Sequence, residues 1–212
     1  MKYQTITTTN FQQNCSLVWC KITKHAVLID PGGEAIKLRR MIQDLKLIIK
    51  KILLTHGHLD HVGAAVELSK FYKIQIIGPH YNDKILLDNL PAQCQIFNVE
   101  CIPSFSPHYW LKENNLINVG EITFNILHCP GHSPGHIVYW SKKHNLIFVG
   151  DVLFKEKIGR TDLPGGNIKQ LLNSIQKKIL TLQDVTVLIP GHGPLSTIGH
   201  ERHNNPFLIK NL

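Results

Sequence analysis

Thr55-His56-Gly57-His58-Leu59-Asp60-His61-Val62-Gly63 places four metal-binding side chains within six consecutive positions, directly after the apolar run Ile52-Leu53-Leu54. With 13 His and 8 Asp among 212 residues, His-x-His-x-Asp-His arises by chance in about one chain in 500 of this composition, so a merely polar turn is a poor account of it. The stretch reads as a metal site set between a strand, Lys51 to Leu54, and a helix from Leu59 to Tyr72. On that helix Val62, Ala65, Val66 and Ser69 share one stripe.

The surroundings are those of an ordinary globular chain. Hydrophobic residues make up 43% and charged residues 18% of 212 positions, enough for one substantial core, and residues 1–212 are read as one domain. The net charge of +8 is dispersed over positions such as Lys37, Arg39, Lys70, Lys142 and Lys177. It forms no dense basic run with interleaved aromatics, so a nucleic-acid partner is not expected, whereas a small anionic substrate would be drawn in. Every apolar run is far shorter than the ~20 residues of a membrane span, so no membrane association is expected. Five cysteines in no small-scaffold spacing, and a polar start without a signal-peptide core, point to a reducing, cytoplasmic setting. All five are read as buried, inert thiols.

Outward from the cluster the pattern repeats. Ser16 to Cys20 and Ala26 to Ile29 read as strands, and Leu38, Met41, Ile42 and Leu45 mark a helix between Glu34 and Leu45. A strand from Ile74 to Ile77 follows the His-rich loop. Gly78 to Asn115, with prolines at 79, 91, 103 and 107, yields only a short helix over Tyr81 to Leu87. Ile122 to Leu127 is a strand ending in His128-Cys129-Pro130-Gly131-His132-Ser133-Pro134-Gly135-His136. Strands His136 to Trp140 and Leu146 to Val149 form a hairpin that runs into Gly150-Asp151. Asn167 caps a helix carrying Ile168, Leu171, Leu172, Ile175 and Ile179, and a strand Val185 to Ile189 leads into Pro190-Gly191-His192-Gly193-Pro194. A last helix covers much of Ser196 to Asn205.

Candidate ligands therefore follow Leu54, Leu127, Val149 and Ile189, each on a loop at the carboxyl end of a strand. Seven of them divide into two sets, His56, His58 and His132 against Asp60, His61 and His192, with Asp151 as a bridge. Three protein ligands per ion leave open positions, as catalysis requires, and a structural zinc would be richer in cysteine. Imidazole and carboxylate donors suit zinc, iron or manganese. Asp30, before Pro31-Gly32, is either a support for a ligand or a turn residue. His25, His80, His108, His144, His200 and His203 are read as surface residues.

Thr55-His56-x-His58-x-Asp60-His61 with His132, Asp151 and His192 resembles the metallo-β-lactamase-fold hydrolases over nearly the whole chain. Gly150 to Phe154, Gly159-Arg160-Thr161-Asp162-Leu163-Pro164-Gly165-Gly166 and Pro190 to Pro194 resemble the glyoxalase II-like branch, the hydroxyacylglutathione hydrolases. The resemblance implies an α/β fold, an αββα sandwich, with two divalent metal ions, zinc first, at its edge. It selects His132 over His128 and His136, which then rank as surface or supporting residues.

The same resemblance implies hydrolysis of a small anionic thioester such as S-lactoylglutathione by a metal-bridging hydroxide. Asp60 and Asp151 are the catalytic carboxylates in that reading, and Arg160 is the contact for an anionic substrate group. Glyoxalase II enzymes add a C-terminal helical region for glutathione, whereas here Leu212 lies twenty residues beyond His192. The alternatives are a mononuclear iron enzyme resembling persulfide dioxygenases, a hydrolase of another small ester or lactone, and a metal-binding module without turnover.

Overall fold

The computed structural model describes residues 1–209; the last three residues of the expected 1–212 range lie outside them. Among the described residues, β1 (Lys2–Thr8), β2 (Gln13–Trp19), β3 (His25–Ile29), β4 (Ile48–Leu53) and β5 (Gln75–Ile77) form one sheet in chain order. The first three strands are an antiparallel meander, and β4 and β5 join in parallel. Parallel neighbours need a crossover. The first is α1 (Ala35–Asp44); the second is α2 (Leu59–Val62) followed by α3 (Ala65–Tyr72).

After a 3-10 turn at Tyr81–Asp83 come α4 (Lys84–Asp88) and α5 (Leu90–Phe97). The second sheet is then laid down by β6 (Leu116–Val119), β7 (Ile122–His128), β8 (Ile137–Ser141) and β9 (Leu146–Gly150). A small hairpin of β10 (Leu153–Phe154) and β11 (Lys157–Ile158) and the helix α6 (Ile168–Ser174) precede β12 (Val187–Pro190), which pairs in parallel with β9. The edge strand β13 (Ser196–Thr197) and the helices α7 (Ile198–Asn204) and α8 (Pro206–Ile209) follow. The spatial order of this sheet is β13-β12-β9-β8-β7-β6.

Side-chain alternation turns these elements into four layers. On β2, Cys15, Leu17 and Trp19 face α1 and α3, joined by Ala26 and Leu28 of β3 and by Leu38, Ile42 and Leu68 of the helices. Their neighbours Val18, Val27 and Ile29 point the other way, into a core shared with Phe124, Ile126, Tyr139 and Phe148 of the second sheet. Val138, Ile147, Val149 and Leu188 on that sheet's far face meet Leu171, Ile175, Ile179 and Ile198. A strand covered on both faces reads as a continuous apolar run, which is why β2 and β3 show no polar alternation. The result is the αββα sandwich of the metallo-β-lactamase type.

Three expectations are corrected by the structure. The helix over Leu59 to Tyr72 is broken at Gly63-Ala64, because the backbone there packs directly on the Pro31-Gly32 turn. The Ala64 N–H donates to Pro31 O at 2.9 Å, and a Cβ on Gly63 would lie 2.3 Å from Gly32 O. In the segment left unread from the sequence, Pro91 sits in the first turn of α5, where a missing N–H costs nothing. The strand expected at Val185 runs from Val187 to Pro190. Cys101 is exposed, while the other four thiols are buried. Among the described residues no helix is long and apolar enough to cross a membrane.

Candidate metal centre

The carboxyl ends of β4, β7, β9 and β12 meet at one edge of the sandwich, and backbone hydrogen bonds knit their loops together. Ile137 N–H donates to Thr55 O at 2.8 Å, Gly191 N–H to Gly150 O at 2.8 Å and Asn14 N–H to Gly191 O at 2.7 Å. At Gly191 no side chain is possible, since a Cβ would lie 2.2 Å from Asp151 Oδ1 and 2.7 Å from the His61 ring. The seven residues singled out from the sequence converge on this edge.

Three groups of donors have the spacing a metal ion requires; Asp30, His56 and His61 are one, and the other two follow the division read from the sequence. His56, His58 and His132 form one and Asp60, His61 and His192 the other, with the ligand atoms of each group within 4.8 Å of one another. Asp151 stands between them. Its Oδ1 is 3.4 Å from His61 Nε2, and its Oδ2 is 3.7 Å from His132 Nε2 and 3.6 Å from His192 Nε2. Asp60 Oδ2 approaches His192 Nε2 at 3.1 Å and His61 Nε2 at 3.7 Å.

The hydrogen bonds behind the rings fix which nitrogen faces inward. Asp30 accepts from the Thr55 N–H at 2.7 Å and from its hydroxyl, so the Thr55 oxygen accepts from His56 Nδ1 at 3.0 Å. His61 Nδ1 donates to Asp30 Oδ2 at 2.9 Å, His132 Nδ1 to Arg160 O at 2.8 Å and His192 Nδ1 to Phe11 O at 3.1 Å. In all four rings Nε2 is left for the centre, and His58 turns its Nδ1 there, 2.9 Å from His132 Nε2. Such outer hydrogen bonds orient a ligating imidazole and raise its basicity.

The donor set fits metal ions. His56 Nε2, His61 Nε2 and Asp151 Oδ1 are buried without any hydrogen-bond partner, and three orphaned polar atoms among the proposed donors would be costly without cations to satisfy them.

The charge states agree. Burial, reinforced by neighbouring imidazoles, pushes His56 well below the ordinary histidine value and His58 down to about 3. Burial also lowers His132. Burial alone would raise the Asp60 and Asp151 carboxyls, but His61 and its neighbours outweigh it and hold both below the usual range. His61 goes the opposite way: burial pulls it down, yet Asp151, Asp60 and Asp30 hold it well above its usual value.

One support was missed in the sequence and another was left open there between surface and support. Asp83 lies in the hard-to-read segment and is fully buried. It accepts from Gly57 N–H at 2.9 Å, from the Ser133 hydroxyl at 2.8 Å and from Gly135 N–H, tying the His56–His58 loop to the His132 loop. Burial raises its carboxyl to about 6 in spite of those bonds. His136 is buried, accepts the Asp151 N–H at 3.0 Å and stacks on His56 with centroids 4.7 Å apart. It supports two donors rather than lying on the surface. His128, half-buried, stacks on His80 away from the centre.

Asp30 is likewise a support, since its two oxygens are taken by Thr55 and His61. Arg160 lines the cleft over the centre. Its Nε and Nη2 form a 2.7 Å bidentate pair with Asp162, and its backbone carbonyl is the one that orients His132.

A four-layer sandwich bearing clustered His and Asp donors at the ends of its strands defines a metallo-hydrolase. Residues 8–192 match the metallo-beta-lactamase superfamily, and the chain belongs to that superfamily. Among its relatives is the hydroxyacylglutathione hydrolase GloC of Haemophilus influenzae, 46% identical over 209 residues that cover 98% of each protein. The solved BLEG-1 B3 metallo-beta-lactamase superposes with a TM-score of 0.91 at 37% identity, covering 98% of this chain and 99% of that one. TTHA1623 in a di-iron-bound form gives a TM-score of 0.88 at 36% identity, covering 97% of this chain and all of the other.

Proposed function

We propose that the protein is a dinuclear metallo-hydrolase that cleaves a small anionic thioester such as S-lactoylglutathione. His56, His58 and His132 would hold one ion, Asp60, His61 and His192 the other, and Asp151 would face both. The observation that carries this is Asp151, whose oxygens lie 3.4–3.7 Å from histidine nitrogens of both groups. The likeness to GloC supports the thioester, and the di-iron form of TTHA1623 makes iron as reasonable an occupant as zinc, with manganese also suited to these donors.

Two divalent ions bound there supply a water with its pKa lowered toward ~7 and a Lewis acid for the carbonyl. The chain's own residues do the rest. Asp60 and Asp151, held ionised, orient the attacking water and accept its hydrogen bonds. His61 and His192, pinned through Nδ1, keep Asp60 in place. The departing thiolate belongs to an acid of pKa ~8.5, so it leaves without a dedicated proton donor. Arg160 and Lys157, on the rim, face an anionic substrate group. Metal analysis together with thiol release from S-lactoylglutathione tests this reading. Two equivalents of metal with release is the expected result; one iron with oxygen uptake on glutathione persulfide would overturn it.

A further inference from the structure

The cleft above the metal centre, about 720 Å³ in volume, carries two cations in a largely apolar lining, which bears on the substrate. Lys157 and Arg160 line it together with Phe154, Ile158 and Leu163, and Ile85, Leu86, Ile96 and Phe97 of α4 and α5 line it with Phe11. Ile85, Ile96 and Phe97 are 61%, 77% and 41% exposed. Phe11 meets Phe97 edge-on, with centroids 5.8 Å apart.

The amides of Gln93 and Asn89 on this wall already bond within the protein. Gln93 accepts from Leu59 N–H at 3.0 Å and donates to Leu86 O at 2.8 Å and Gly57 O at 3.3 Å. Asn89 donates to Ile85 O at 2.8 Å. Gln93 therefore fastens α5 to the His56–His58 loop, and what the wall offers a ligand is apolar surface at a fixed distance from the centre. Exposed large apolar side chains that are contiguous with a catalytic cleft mark a place for apolar ligand surface.

The geometry points to thioesters with a bulky apolar acyl group, aliphatic or aromatic, lying on the Phe11–Ile85–Ile96–Phe97 wall. Their anionic thiol half extends toward Lys157 and Arg160. This rests on the hydrolase reading above and names its substrate class. The reaction itself is simple hydrolysis. The water oxygen forms the new C–O bond, the C–S bond breaks, the sulfur keeps the electron pair and takes up the water's proton, and an apolar carboxylic acid and a thiol result.

The test is thiol release by the metal-loaded full-length protein from S-acetyl-, S-butanoyl-, S-hexanoyl- and S-octanoylglutathione. The expected result is kcat/KM rising about four-fold per methylene that reaches the wall. In the Ile85→Asn/Ile96→Asn double variant, with its melting curve recorded as a check on folding, the octanoyl-to-acetyl ratio falls at least ten-fold. Moving the acyl series to the uncharged thiol N-acetylcysteamine lowers kcat/KM for the wild type, and Lys157→Gln narrows that gap. A flat or falling series, or an unchanged ratio in a folded double variant, overturns the acyl assignment and leaves the hydrolase reading standing. No thiol release from any member by protein holding two metal equivalents overturns both.

Discussion

The floor and the wall of the cleft are built on opposite principles. The floor is polar and deeply buried: His56 and His61 have no exposed surface, and the rings of His56, His61, His132 and His192 are held from behind by a hydroxyl, a carboxylate or a carbonyl. The wall is apolar and open, with Ile96 at 77% exposure and its amides spent on the protein itself. Buried donors with orphaned atoms represent stored cost that a cation relieves; exposed apolar side chains represent surface that a ligand covers. Reaction chemistry is thus concentrated in the part that tolerates least change, and substrate choice in the part that tolerates most.

Substitutions can break that contrast. The largest effect is expected at the floor: Asp151→Ala or His192→Ala should lower thiol release roughly 10³-fold or more, since a catalytic ion supplies several kcal/mol of transition-state stabilisation. Bound metal should fall from two equivalents toward one. A His192→Ala protein with full activity would remove the dinuclear assignment.

Asp83, beneath the floor, should reveal itself through pH. Its carboxyl moves from 3.8 to about 6 on folding, so between these values the folded state binds more protons than the unfolded one. Stability then falls as pH rises through that window, by about 3 kcal/mol in all. Asp83→Asn lacks this proton. Denaturant unfolding of metal-stripped protein should show the variant gaining on wild type by that amount between about pH 4 and 6.5. A stability difference that stays constant with pH would show that Asp83 does not titrate in this window.

A smaller effect belongs to Asp30, which positions His61 through a 2.9 Å bond. Asp30→Asn should weaken metal affinity by about 10- to 100-fold, measurable by competition with a chelating dye, and affinity equal to wild type would exclude that role. Smallest of all is the wall: Ile96→Asn, at a site so exposed, should change unfolding free energy by no more than ~0.5 kcal/mol, while altering acyl preference. A large loss of stability would mean that the wall is part of the core.

The site was more legible than its frame. His56, His58, Asp60 and His61 announce themselves because a metal needs several donors from one short loop, whereas Asp151 and His192, each following an apolar strand through a glycine, are weak alone and rest on the combined pattern. His132 was separable from His128 and His136 only through family resemblance, since all three share one Gly- and Pro-rich loop. The structure distinguishes them by partners: His132 donates to Arg160 O, His136 accepts from Asp151 N–H, and His128 stacks on His80. Asp83 left no trace in sequence, being one acid in a segment without periodicity, and the wall was unreadable because its apolar residues face solvent instead of following a buried stripe.

The sequence by itself determined the donor types, their order and the strands that deliver them, because strand and helix periodicities and ligand spacing are local properties of the chain. The place of Asp151 between two triads was itself expected from the sequence; only the tertiary structure decided that Asp30 and Asp83 brace them and that an apolar wall rises beside them. Those facts depend on which distant loops the two sheets bring to one edge, and packing between sheets joins residues more than a hundred positions apart, as in the bond from His192 to Phe11.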